Sequence, residues 1–161
     1  FQQMSNKQKQ YELINAQVQA LISGESDMIA NMANIAAVLF NNLEQVNWAG
    51  FYLYKQEQLV LGPFQGQPAC IRIPMGKGVC GTSASRRETM VVMDVHEFAG
   101  HIACDAASNS EVVVPIVVND QLIGVLDIDS PITARFDDDD RVGLETLVST
   151  FEASFTAAEV S

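Results

Sequence analysis

The sequence predicts an α+β domain in which helices bracket a mainly antiparallel sheet. Three observations lead there: apolar residues recur at helical spacing at both ends, the middle switches to alternating β-branched and aromatic runs, and two pairs of those runs flank short tight turns. With 161 residues, 48% of them hydrophobic, the chain supports one core and would make two thin ones. No repeat or low-complexity linker divides it. Phe1 to Met4 reads as an expression remnant, so the domain is taken as residues 5–161.

From Asn6 to Ile22, the residues Tyr11, Leu13, Ile14, Val18, Leu21 and Ile22 fall near helical spacing, and Gly24 stops the pattern. Ser26 suits the cap of a second helix whose stripe includes Ile29, Met32, Ala36 and Phe40. Trp48 to Tyr54 alternates and Gln58 to Gly62 is apolar, with Gln56 and Glu57 between them, which predicts a hairpin. Cys70 to Ile73 reads as a third strand, residues 74–81 (PMGKGVCG) as a glycine-punctuated loop, Thr82 to Arg86 as a brief helix and Met90 to Met93 as a strand. Val112 to Val118 and Leu122 to Ile128 are strong strands around Asn119 and Asp120, residue types that tolerate the positive φ of a tight turn. Asp137 opens a last helix carrying Leu144, Leu147, Val148, Phe151 and Phe155. A two- or three-layer sandwich follows, with helices on one sheet face and loops over the other.

Twenty acidic against nine basic side chains give a formal charge of -11, which repels phosphates and anionic headgroups and argues against nucleic acid or membrane partners. No apolar run approaches the roughly 20 residues a bilayer span needs, and no basic-then-apolar signal pattern appears, so a cytoplasmic protein is expected. The run Asp137 to Asp140 reads as a solvated helix start favoured by the helix dipole rather than as a metal site.

The chemistry concentrates in a connection of about 17 residues, Asp94 to Ser110, longer than the roughly 12 to 15 that compact domains usually tolerate without a function. Within it, Cys104 stands among Ala103, Asp105, Ala106 and Ala107, which leave room around sulfur. On spacing alone Cys104 fits a reactive thiol and an ordinary buried thiol equally well. His101 and Cys104 make one half of a zinc-like HxxC pattern, with Cys70 and Cys80 as further soft ligands, but no second paired spacing accompanies it, so no metal is expected. His96 and His101 read as surface or hydrogen-bonding residues. The 74–81 loop lacks the spacing of a phosphate-binding Walker motif.

Asp127 and Asp129 are two residues apart on a strand, so both point to one sheet face, and Glu111 begins the neighbouring strand. Three carboxylates in one semi-enclosed pocket repel, which keeps a proton available near neutral pH and suits acid catalysis or ammonium binding. Trp48, the single tryptophan, suits the core or a pocket wall, and alone it favours the core.

Five blocks in order carry a resemblance: NWAGFYL (47–53), LVLGPFQG (59–66), GVCGT (78–82), GHIACDAASNSE (100–111) and IGVLDIDS (123–130). Together they closely resemble the free methionine-R-sulfoxide reductases, a GAF-domain family. The resemblance implies a single GAF domain with a central antiparallel sheet of about six strands, and reduction of free methionine-R-sulfoxide to methionine. It implies Cys104 as the nucleophile that attacks the sulfoxide sulfur and becomes a sulfenic acid, Cys70 as the thiol that resolves it to a disulfide, and Cys80 as a secondary thiol. Thioredoxin would then reduce the bridge as an external reductant, with no bound cofactor.

The same chemistry accounts for the carboxylates, since sulfoxide oxygen leaves poorly unless protonated. A member of Glu111, Asp127 and Asp129 would supply the proton and the others would hold the substrate ammonium, while Trp48 would pack against the methyl or thioether. The flank of the first helix and the last helix offer a homodimer surface. The competing readings are a non-catalytic GAF sensor of a small ligand, which a chain without an output module disfavours, and a zinc-stabilised structural module.

Overall fold

The computed structural model describes residues 3–102, 104 and 107–155. Along them follow α1 (Asn6–Ile22), α2 (Met28–Asn42), β1 (Trp48–Lys55), β2 (Gln58–Gly66), β3 (Arg72–Pro74), α3 (Gly78–Arg86), β4 (Met90–Val92), a 3-10 turn (Val95–Glu97), β5 (Ser110–Val118), β6 (Gln121–Ser130) and α4 (Asp138–Glu152).

The six strands form one sheet in the order β3-β2-β1-β6-β5-β4, every neighbour antiparallel. This is the α+β architecture the patterns predict. α1, α2 and α4 cover one face, where Val18, Ile35, Leu39, Phe51, Leu126 and Leu144 form the larger core. Full burial of such a side chain contributes about 1.5 to 3 kcal/mol. The other face, expected to lie under loops, is instead partly covered by α3, which packs on it with Trp48, Tyr52, Val79, Val113 and Val125.

Local chemistry explains the element ends. Ser5 and Gln8 close a capping box on α1, each accepting from the other's backbone N–H. α2 is capped by Asp27, one residue beyond the expected Ser26, with Asp27 Oδ1 accepting from Ala30 N at 2.8 Å. A carboxylate there meets the positive end of the helix as well as its free N–H. The β1–β2 turn holds Gln56 and Glu57 at φ of 52° and 64°, and the β5–β6 turn holds Asn119 and Asp120 at 51° and 66°, the doubly positive form that matches strand twist.

Three expected boundaries move. β2 runs past Gly62 to Gly66, because a bulge carries the register from Tyr52 opposite Leu61 to Gly50 opposite Phe64. β3 lies at Arg72–Pro74 rather than Cys70–Ile73, since the carbonyl of Cys70 accepts from the Tyr52 hydroxyl instead of joining the ladder. α3 begins at Gly78, inside the expected loop. A Cβ on Gly81 would sit 2.5 Å from the Pro74 carbonyl oxygen, so this glycine serves close packing of a helix rather than a turn.

The acidic run also departs from a wholly solvated helix start. Asp137 caps α4, but Asp140 is buried, accepting from Tyr11 Oη at 2.7 Å and pairing with Lys7 at 2.6 Å and Arg135 at 3.3 Å. Among the described residues no helix is long and apolar enough to cross a membrane.

Candidate active site

The site lies on the sheet face under α3. Alternation puts Asp127 and Asp129 of β6 on that face, and pairing sets Asp129 between Trp48 of β1 and Glu111 of β5, one row across three strands. One step along, Asp127 lies between Gly50 and Val113. Glu111, Asp127 and Asp129 are only 7%, 5% and 8% exposed. The three carboxylates expected to converge do so.

From above, α3 lowers Cys80 onto them, and its Sγ donates to Glu111 Oε2 at 3.8 Å. Burial pushes the Glu111 carboxyl well above its ordinary range, and the charge of Asp127 pushes it further. Asp127 rises for the same first reason, with Asp129 as the repelling neighbour. Burial and then Asp127 and Glu111 raise the Cys80 thiol as well. Each of these three groups therefore holds its proton to higher pH than it would in solvent. Among the described residues Asp127 Oδ1 has no hydrogen-bond partner, an unusual state for a buried acceptor and one that a donor on a ligand would satisfy.

Trp48 meets both of its expected roles, being buried and also lining the cavity. Its ring stacks with those of Phe64, 5.1 Å away, and Tyr52, 5.9 Å away, and Nε1 donates to the Gln67 carbonyl at 3.1 Å. Gly66 takes φ of 131°, and a Cβ there would lie 2.7 Å from the indole Cδ1, so a side chain cannot be accommodated over Trp48.

At the mouth, Cys70 and Cys104 form a disulfide with an S–S distance of 2.04 Å across 34 residues of sequence. Both are half-buried, and Cys80 is the free cysteine. With its sulfur bonded to Cys70, Cys104 is not available to the zinc-like half pattern. His96 Nε2 lies 3.0 Å from Asn109 Oδ1 as a hydrogen-bonding residue, while His101 lines the cavity with a buried Nδ1 that has no partner. Burial, then the nearby His96, lowers the His101 pKa.

Asn109 ties down the end of the long connection. Its N–H donates to the Ser130 carbonyl at 2.8 Å, its carbonyl accepts from Val95 N at 3.0 Å, and its side chain donates to Pro131 at 2.8 Å. Of the small residues expected around Cys104, Ala107 is exposed, and Ala103, Asp105 and Ala106 lie outside the described residues.

The GAF domain family matches residues 27–155. The free methionine-R-sulfoxide reductase of Escherichia coli strain K12 is 54% identical over 147 residues, spanning 91% of this chain and 89% of that protein. The chain belongs to the free methionine-R-sulfoxide reductase family, on a GAF fold. Among solved structures, fRMsr of Staphylococcus aureus in complex with substrate superposes with a TM-score of 0.88 at 55% identity, covering 96% of this chain and 98% of that one. The free methionine-R-sulfoxide reductase of Neisseria meningitidis in complex with its substrate gives a TM-score of 0.90 at 42% identity, covering 96% and 93%.

In this member of the free methionine-R-sulfoxide reductases, the cavity above the carboxylates has a volume of about 40 Å³ and is walled by Trp48, Tyr52, Val79, Cys80, His101 and Cys104. That space suits water or an ion, since one water needs roughly 10 to 15 Å³, and is far below the roughly 300 Å³ of ordinary small-molecule pockets. Tyr52 and Phe64 are wall and support residues that the sequence reading overlooks. The signal for Tyr52 was present, because alternation from Trp48 puts it on the same face. Phe64 reaches Trp48 through a bulge, which no local pattern announces.

Proposed function

We propose that this chain reduces free methionine-R-sulfoxide to methionine with its own thiols. The observation that carries the proposal is the Cys70–Cys104 disulfide at the mouth of a pocket floored by three buried carboxylates. The thiol of Cys104 attacks the sulfoxide sulfur as a buried carboxyl protonates the oxygen. The sulfur–oxygen bond breaks and the oxygen leaves as water; a water then attacks the Cys104 sulfur, the transient sulfur–sulfur bond breaks, methionine leaves, and Cys104 becomes a sulfenic acid. The sulfoxide gains two electrons and Cys104 loses them. Cys70 then displaces water from the sulfenic acid, giving the disulfide.

Substrate binding follows from charge. The ionised members of Glu111, Asp127 and Asp129 attract the ammonium, and Asp127 Oδ1 offers an unused acceptor to it. The start of α3, which has no side-chain cap, and Lys77 line the same cavity and suit the α-carboxylate. Trp48 presents an aromatic surface to the methyl and thioether, a favourable contact for sulfur. The small cavity of the disulfide form supports an outward movement of Cys104 on reduction to admit substrate. Superposable coordinates in both redox states would sink that part of the reading.

Thioredoxin serves as the reductant of the bridge, by thiolate attack on a half-buried sulfur and a mixed disulfide. Ile71, 67% exposed beside Cys70, gives such a partner an apolar contact. Leu13 and Leu21 of α1 and Val142 of α4 are exposed apolar residues that support a homodimer along that flank. The deciding assay offers reduced protein the R and S sulfoxides of free methionine and quantifies methionine. Turnover of the R form by wild type, and none by Cys104→Ser, is expected. No turnover by wild type, or undiminished turnover by the variant, overturns the proposal.

A further inference from the structure

Cys80, Glu111 and Asp127 form a buried group whose potential metal-ligating atoms all lie within 4.8 Å of one another, among the described residues. The 3.8 Å between Cys80 Sγ and Glu111 Oε2 is close to the separation of a sulfur and an oxygen ligand on one tetrahedral centre, given metal bonds of about 2.3 Å and 2.0 Å. Independently of that spacing, Asp127 Oδ1 has no hydrogen-bond partner among the described residues although its side chain is more than nine-tenths buried. His101 Nδ1 on the same wall is a second buried polar atom without one. Orphaned groups of this kind call for a ligand.

We propose that the disulfide-bonded protein binds a divalent cation of the zinc class at Cys80, Glu111 and Asp127. The donor set selects the ion: one sulfur and two carboxylates suit a borderline-soft tetrahedral metal with solvent in the fourth position, and offer too few oxygens for calcium. The cavity of about 40 Å³ admits an ion with a water but not an amino acid. With Cys70 and Cys104 bonded, Cys80 is the thiol that remains to hold this occupant. On binding, the Cys80 thiol proton and the protons held by the carboxyls leave to solvent as the metal bonds form.

The ion occupies the place assigned above to the substrate ammonium and so has to leave before the reduced site accepts substrate. That consequence rests on the proposed function, whereas the site itself does not. The metal is an occupant of a finished fold, unlike the ion of a zinc-stabilised module.

The test titrates cobalt(II) into the disulfide-bonded full chain, without sulfoxide or reductant, and records the thiolate-to-cobalt charge-transfer absorption. One ion per chain, displaced by zinc and not by excess magnesium, is the expected result. Cys80→Ser abolishes the band and weakens zinc by more than the roughly 10- to 100-fold that loss of an outer-shell partner costs. Asp127→Asn, nearly isosteric, weakens zinc while keeping the band, because the sulfur remains. A band that survives Cys80→Ser, an unchanged zinc affinity in Asp127→Asn, or no zinc binding by wild type overturns the proposal. Because no substrate is present, these outcomes are independent of whether the chain reduces methionine sulfoxide.

Discussion

The hydroxyl of Tyr52 donates a hydrogen bond to the carbonyl of Cys70 at 3.0 Å. It thereby fixes the backbone of a redox-active cysteine to the wall of the pocket that cysteine serves. Tyr52→Phe keeps the ring beside Trp48 and removes a bond worth about 0.5 to 1.5 kcal/mol. A stability loss of that size is expected in urea unfolding, together with slower closure of the bridge and more trappable sulfenic acid after a single turnover. Wild-type closure kinetics would show that this bond does not position Cys70.

The carboxylate cluster predicts an unusual pH response. Glu111 and Asp127 retain protons in the folded chain well above their ordinary values of 4.5 and 3.8. Between those values and the raised ones the native state binds more protons than the unfolded state, so their contribution to stability falls as pH rises. Glu111→Gln removes one such site, and its stability relative to wild type should climb with pH above about 4.5. Parallel urea profiles for the two proteins from acid to neutral pH would refute the linkage.

In the proposed reaction the same groups set the rate. Turnover needs a protonated acid near the sulfoxide oxygen, so the chemical step should slow as pH rises through the raised carboxyl pKa. Replacing the general acid, by Glu111→Gln or Asp127→Asn, should cost roughly 10²- to 10⁴-fold in single-turnover rate. It should also flatten that limb of the profile. If neither variant changes the pH dependence, the proton comes from elsewhere.

Asp140 makes a sharper stability test than its neighbours in the acidic run. Its carboxylate is 1% exposed and holds Lys7, Tyr11 and Arg135 together, joining α1, α4 and the loop before α4. Asp140→Asn leaves the buried Arg135 guanidinium without its carboxylate, while the partly exposed Lys7 keeps Asp137, and should cost about 3 to 5 kcal/mol. Asp138 pairs with Arg141 at the surface, so Asp138→Asn should stay within about 1 kcal/mol. Equal midpoints in chemical denaturation would contradict the distinction.

Gly143 sits within α4, where alanine ordinarily stabilises a helix by roughly 0.5 to 1 kcal/mol. Here an added Cβ would fall 2.2 Å from Cγ of Tyr11. Gly143→Ala should therefore destabilise, by about 1 to 3 kcal/mol, through overpacking of the α1–α4 contact. A raised melting temperature would show that Tyr11 yields at little cost.

Much of the fold was legible because the governing chemistry is local. The α1 stripe of Tyr11, Ile14 and Val18, the two doubly positive turns and the shared face of Asp127 and Asp129 each depend on residues close in sequence. What escaped was set by partners far away. The start of α3 was hidden because Gly78 and Gly81 resemble turn residues, whereas Gly81 is required by the carbonyl of Pro74 across a tertiary contact. Asp140 resembled its exposed neighbours until Lys7 and Arg135 were brought onto it. The cysteine pairing and the substrate contact expected of Trp48 came from the family resemblance, whereas the carboxylate trio was read from strand alternation, and the row Trp48, Asp129, Glu111 required the nonlocal pairing of β1 with β6.

The narrow cavity above the carboxylates also governs how two reactants share one site. If the disulfide form cannot admit the amino acid, sulfoxide and reductant never compete for the same state of the protein. Each waits for the other to finish. Double-reciprocal plots at several reductant concentrations should then be parallel, and high sulfoxide should not slow the reductive half of the cycle.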